Sequence, residues 1–176
     1  MACLAFVGLC NTYADTENKM NEPYAEADLR RRFDLLGTAH PRLCTRTDVL
    51  PADLGDIEPY MQAVITEARR IEREPVLERV QIGRRLLAVS RDALQRITVL
   101  SAAWMRTRDE GFLKRAEAEL LSLCAFSDWN PSHYLDTAEM SLAVSLGYDW
   151  LYNALSPEPR EKIADGLWRL GLQTAL

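Results

Sequence analysis

The block Trp129-Asn-Pro-Ser-His-Tyr-Leu-Asp-Thr-Ala-Glu-Met140, running on into Gly147-Tyr-Asp-Trp-Leu-Tyr152, gathers the side chains best suited to chemistry. Aromatic rings, an amide, a histidine and carboxylates fall around one loop and the helix after it. A tryptophan exposed on such a loop is a platform for a sugar ring, since its flat face stacks on apolar C–H groups. Asn130 and His133 can donate hydrogen bonds to a hydroxyl or a carboxylate. As an imidazole, His133 can also give or take a proton. Trp129, Asn130 and His133 are therefore the candidate substrate-binding residues. Plainer roles compete for the same residues. Asn-Pro-Ser is a turn and helix-start sequence, Ser132 or Asp136 can cap a helix, and Trp129 can anchor a core.

The nearby carboxylates read differently. Asp136, Glu139 and Asp149 suit capping, buried hydrogen bonding or helix pairing better than catalysis. A helix rises ~1.5 Å per residue, so Asp136 and Asp149 stand roughly 20 Å apart along its axis. That is too far for two carboxylates to act on one glycosidic bond. The Tyr148-Asp-Trp-Leu-Tyr152 cluster reads as packing that closes the end of the helix. Cys124, inside Leu120-Leu-Ser-Leu-Cys-Ala-Phe126, reads as a small buried hydrophobe. The four cysteines have no metal-ligand spacing. The chain also has no P-loop, dinucleotide-type glycine pattern, HExxH or nucleophile elbow. No cofactor and no metal are expected.

The elements that must position these residues are helices. Strand-like alternation over four or more residues is absent. The spacing predicts helices over 23–36, 57–74, 80–108, 110–126 and 134–155. A last helix runs from 157 to the end, with Ser156 as N-cap and Pro157 at N1. Their apolar stripes include Tyr60, Val64, Ala68 and Ile71; Leu86, Leu94, Ile97, Leu100 and Trp104; Phe112, Ala116, Leu120 and Leu123; and Ile163, Leu167, Leu170 and Ala175. In the 134–155 helix, polar and apolar residues mix around most of the circumference, which predicts burial on nearly all sides. The helices pair as hairpins, 57–74 with 80–108 and 110–126 with 134–155. The second member of each pair is the more evenly apolar. This suggests inner helices shielded on both sides and outer helices with one wet face, as in a solenoid or a closed α/α toroid. Leu167-Trp-Arg-Leu-Gly-Leu-Gln-Thr-Ala-Leu176 stays apolar to its last residue, so the chain reads as truncated at its C-terminus.

With 176 residues and 48% hydrophobic content, the chain can bury one ordinary core. A net charge of −5 gives no basic footprint, so nucleic acid is excluded as an expected partner. A locally basic cleft could still take an acidic polymer. Leu4-Ala-Phe-Val-Gly-Leu-Cys10, followed by Thr12-Tyr-Ala14, reads as a signal peptide over 1–14, although no basic residue precedes Lys19. A polar linker over 15–22 follows. No stretch is long enough to span a membrane. The expected location is the periplasm or the exterior.

Four pieces of the sequence together resemble the N-terminal region of heparinase II/III-type polysaccharide lyases and the alginate lyases related to them. They are His40-Pro-Arg-Leu43, the Trp129-to-Met140 block, Gly147-Tyr-Asp-Trp-Leu-Tyr152 and Leu155-Ser-Pro-Glu-Pro-Arg160. The resemblance implies that the all-α segment 23–176 is part of an incomplete α/α toroid, followed in the family by β-sandwich domains. It also implies β-elimination on a uronic acid of an acidic polysaccharide, heparin/heparan-like or alginate. In that reaction a polar group neutralises the uronate carboxylate, a Tyr or His takes the C5 proton, and a Tyr or His protonates the leaving oxygen. The family's catalytic residues lie further along than residue 176, so none is assigned in this chain. Trp129, Asn130 and His133 are left as contributors to a substrate cleft. The rival readings are an α/α-barrel glycoside hydrolase and a non-catalytic helical-repeat scaffold.

Overall fold

Glu58 and Pro59 open the first helix of the computed structural model, which describes residues 39–43 and 57–175. The expected signal peptide, linker and 23–36 helix lie outside the described residues. Helix α1 spans Glu58–Ile71. A proline in the first turn sacrifices no helical hydrogen bond, and Glu58 at the start with Arg69 and Arg70 at the end complement the helix dipole. Helix α2 spans Leu87–Thr107 and stops at Arg108, which takes the left-handed conformation (φ 59°). There the Arg108 N–H returns to the Trp104 carbonyl (2.7 Å). Helix α3, Glu110–Cys124, begins at Asp109, whose carboxylate accepts from Gly111 N (2.8 Å). Helix α4 is Tyr134–Leu151 and α5 is Pro157–Gly166. The last turns widen to a π-helix over Leu167–Leu172 and tighten to a 3₁₀ turn over Gln173–Ala175.

Among the described residues the fold is all-helical, and the only β feature is an isolated bridge between Ile82 and Arg85. The predicted stripes point inward, except at Tyr60, which is exposed in the first turn of α1. Phe112, Ala116, Leu120 and Leu123 are fully buried, as are Ala68, Ile71, Ile97, Leu100 and Ile163. Each large side chain of this kind stabilises the fold by ~1.5–3 kcal/mol relative to exposure. Helix α2 packs against α1, α3 and α4, and α4 also touches α3, α5 and the π-helix. Gly147 lets α4 approach that closely. A Cβ there would lie 2.6 Å from Ile97 Cγ2 and 2.9 Å from Leu120 Cδ2.

Two expectations need correction. Helix α4 is not buried on nearly all sides, because Leu135, Ala138 and Leu142, one above another on its surface, are exposed. The helix predicted over 80–108 starts only at Leu87. Residues 77–86 run instead as an irregular segment with a tight turn at Gly83 (φ 60°), a conformation that an L-side chain disfavours. Buried carboxylates hold both ends of this segment. Glu119 accepts from Leu77 N (2.9 Å), and Asp136 accepts from Leu86 N (2.8 Å). The helices predicted to end at 74, 126 and 155 stop earlier, at Ile71, Cys124 and Leu151.

Candidate functional site

The loop before α4 is held from within. The Trp129 indole N–H donates to the Leu123 carbonyl (2.9 Å), and Thr137 Oγ1 donates to the Trp129 carbonyl (2.8 Å). The ring is fully buried, with Gly171 of the π-helix against it. A ring with no accessible face cannot stack on a sugar, so the platform role expected of Trp129 gives way to a core anchor. Asn130 sits in the left-handed region (φ 58°), which asparagine tolerates better than most residues. Its side-chain NH₂ donates to the Arg84 carbonyl (2.9 Å) and to Asp136 Oδ2 (2.8 Å), and its carbonyl accepts from Ser132 Oγ (2.8 Å). Both ends of the amide are engaged inside the protein, and Asn130 is buried. It braces the loop and offers no hydrogen bond to an external ligand.

Asp136 is the hub of this network. Besides Leu86 N and Asn130, it accepts from Arg85 Nη2 (3.2 Å) and more weakly from Arg85 Nε (3.4 Å). Burial disfavours its charge, yet the Leu86 N–H, the Asn130 amide and Arg85 together hold its carboxyl below the usual carboxylate range. Glu139 is likewise engaged, accepting from Ser90 Oγ (2.6 Å). His133 is the one candidate that meets solvent, with its side chain 38% exposed. Its Nδ1 is buried without a hydrogen-bond partner, 3.9 Å from Asp136 Oδ1. The structure thus gathers the three candidates on one loop but leaves only His133 accessible.

The other end of α4 is built differently. Residues 39–43 lie across its last turns, with a cis peptide at His40–Pro41. Buried Asp149 accepts from the backbone N–H of Arg42 (2.7 Å) and of Leu43 (2.7 Å), and its Oδ1 lies 2.6 Å from His40 Nδ1. Trp150 Nε1 donates to the Leu43 carbonyl (2.7 Å) and Asn153 Nδ2 to the His40 carbonyl (3.0 Å). The His40 ring stacks on Tyr152 (3.9 Å, 14°), and Tyr148 stands edge-on to both rings. With Nδ1 facing a carboxylate, the tautomer carrying its proton there is favoured, which leaves Nε2 as an acceptor.

Beside this cluster is a cleft of about 270 Å³ lined by Tyr148, Tyr152, Pro157, Arg160, Glu161 and Ala164. The Arg160 guanidinium lies over the Tyr152 ring (4.8 Å). Burial, with Tyr152 beside it, raises the pKa of the Tyr148 hydroxyl, which therefore stays protonated and able to donate at neutral pH. An oriented imidazole, tyrosine hydroxyls and a cation are chemistry suited to an oxygen-rich anionic ligand.

Sequence reasoning treated His40-Pro-Arg-Leu43 as a marker and the Tyr148-to-Tyr152 stretch as packing, and so missed this junction. The available signal was Asp149 itself. A carboxylate in an apolar helix needs a buried partner, and the chain has only two histidines. A second cleft, of about 350 Å³, is lined by Leu121, Cys124, Ala125, Lys162, Asp165 and Arg169. Burial pushes the Cys124 thiol up to about 12, so it is not a nucleophile near neutral pH. Among the described residues no group of three His, Cys, Asp or Glu side chains could hold a metal ion, and no helix is long and apolar enough to cross a membrane. Compared with known proteins, the chain matches no family model and no curated sequence.

Proposed function

We propose that this chain is the N-terminal part of an exported lyase that cleaves a uronic-acid polysaccharide by β-elimination. In this reading it forms one section of an α/α toroid and holds substrate, while the groups that move protons belong to other parts of the full enzyme. One observation carries the proposal. Two motifs that bear the family resemblance, His40-Pro-Arg-Leu43 and Gly147-Tyr-Asp-Trp-Leu-Tyr152, lie 109 residues apart in sequence and meet at the His40–Asp149 contact (2.6 Å). Two pieces of a shared signature that meet beside one cleft are better explained by a common site than by chance similarity. The packing of α2 on α4, with α1 against α2 and α3 against both, supports the inner and outer layers of a toroid.

The hydrolase alternative gains no support, because Asp136 and Asp149 are both engaged by several protein donors and neither is free to act as an acid or nucleophile. The test is incubation of the chain with heparin, heparan sulfate, chondroitin and alginate, followed by absorbance of the unsaturated product. Binding of at least one acidic polymer without turnover is expected. Robust turnover would overturn the division of labour, and failure to bind any of the polymers would overturn the assignment itself.

A further inference from the structure

Most of the arginines among the described residues are neutralised. Arg69, Arg70, Arg79, Arg85, Arg91, Arg96, Arg106, Arg115 and Arg169 each lie within ion-pair distance of a carboxylate. Arg73, Arg84 and Arg108 have no such pair among the described residues either, but Arg160 alone of these also has a buried donor and lines a cleft. Among the described residues its guanidinium has no ion-pair or hydrogen-bond partner, and its Nε is buried with none. Glu161 lines the same cleft but does not pair with it. A buried, unmatched donor on a permanent cation is costly, and proteins usually satisfy such a group with an acceptor. The cleft supplies room for one. The hydroxyls of Tyr148 and Tyr152 also lack protein partners among the described residues. Tyr152 has His40 stacked on its ring and the Arg160 guanidinium over it.

We infer that the cleft between α4 and α5 binds one anionic sugar unit. Arg160 takes its carboxylate or sulfate in a forked pair of hydrogen bonds, and the tyrosine hydroxyls, Tyr148 first, add further donors. A planar guanidinium matches such oxyanions bidentately, which a lysine cannot do. The volume lies just below the range of about 300–1,000 Å³ usual for ligand pockets, room for a monosaccharide unit rather than a longer stretch of chain. The sugar identity of the ligand rests on the lyase reading above; the anion preference rests on Arg160 alone.

Calorimetric titration tests the inference on the whole chain. The probes are an alginate trisaccharide (carboxylate only), a sulfated galactan trisaccharide (sulfate only), maltotriose (neutral) and free glucuronate. Binding of one of the two anionic trisaccharides and not of maltotriose is expected. Arg160→Gln should weaken it at least tenfold, Arg160→Lys should weaken it less, and Tyr148→Phe should weaken it about threefold. Arg169→Gln, in the other cleft, should leave it unchanged. Thermal melts check that the variants fold, and Tyr148→Phe, which keeps the ring, decides the matter if Arg160→Gln does not. Acidic trisaccharides that bind wild type and Arg160→Gln equally would overturn the cleft assignment while sparing the lyase reading. Glucuronate that binds through Arg160, with no affinity for any acidic polymer, would leave the cleft and overturn the polysaccharide. Equal binding of maltotriose would overturn the anion preference.

Discussion

Helix α4 carries a buried aspartate near each end, and the two are matched in opposite ways. Asp136 meets a backbone N–H, an asparagine amide and an arginine, all from segments described around the core. Asp149 meets two backbone N–H groups and a histidine whose ring stacks on a tyrosine at the edge of a cleft. The first arrangement is closed, because donors and acceptors answer one another and no ligand is needed. The second leaves a ring nitrogen, tyrosine hydroxyls and the Arg160 guanidinium without protein acceptors or donors among the described residues. Asp136, buried with fixed donors, is a brace; Asp149 is held next to a cleft that carries a cation and tyrosine rings. The residues nominated from sequence fall on the brace.

That contrast can be broken by substitutions that separate stability from binding. Trp129→Ala should produce the largest loss of stability, ~3–5 kcal/mol, because a fully buried indole and its hydrogen bond disappear together. A sugar-platform role would instead give weaker glycan binding at nearly unchanged stability, which urea denaturation and calorimetry distinguish. Asp136→Ala should follow. It orphans the buried Leu86 N–H and the Asn130 amide, at ~1–3 kcal/mol for each donor.

The acid limb of stability sharpens the same point. Because the folded-state pKa of Asp136 lies below its usual value, its contribution is complete above the ordinary carboxylate range and fades as pH falls through the folded value. Asp136→Asn should therefore flatten part of the acid-side loss of stability, measured as urea midpoints across a pH series. An unchanged slope would show that Asp136 is not a source of that loss.

The opposite end of α4 should respond more weakly in stability. Asp149→Ala is expected to cost ~1–2 kcal/mol, since the neighbouring Pro41 and Leu43 are exposed and water can reach the freed N–H groups. Its clearer readout is faster amide exchange at Arg42 and Leu43, followed by loss of acidic-glycan affinity as His40 loses its anchor. Should Asp149→Ala prove as destabilising as Asp136→Ala without altering binding, the two ends would be equivalent braces. The smallest effect is expected from His133→Ala, within ~0.5 kcal/mol, because its ring is partly exposed and makes no side-chain hydrogen bond, Asp136 Oδ1 lying 3.9 Å away.

Much of the fold was legible beforehand because helices are written locally. The stripe Phe112, Ala116, Leu120 and Leu123 repeats at the helical period, and a helix with that stripe must bury it. The start at Pro157 followed from proline chemistry in the same way, although Ser156 before it makes no side-chain cap. The start of α2 was not legible. Residues 80–86 carry an acceptable helical pattern, and what unwinds them is the capture of Leu77 N by Glu119 and of Leu86 N by Asp136, residues far along the chain.

The candidate site divides along the same line. Composition and spacing determined an all-helical chain with aromatic, amide and carboxylate groups concentrated along α4. The tertiary structure decided which of those groups remain available, burying Trp129 and Asn130 among their own partners and bringing His40 against Asp149. Helical periodicity is a property of a few turns and can be read in order. Hydrogen-bond satisfaction is settled between segments as distant as residues 40 and 149, and no local pattern announces which polar side chain finds a partner within the protein.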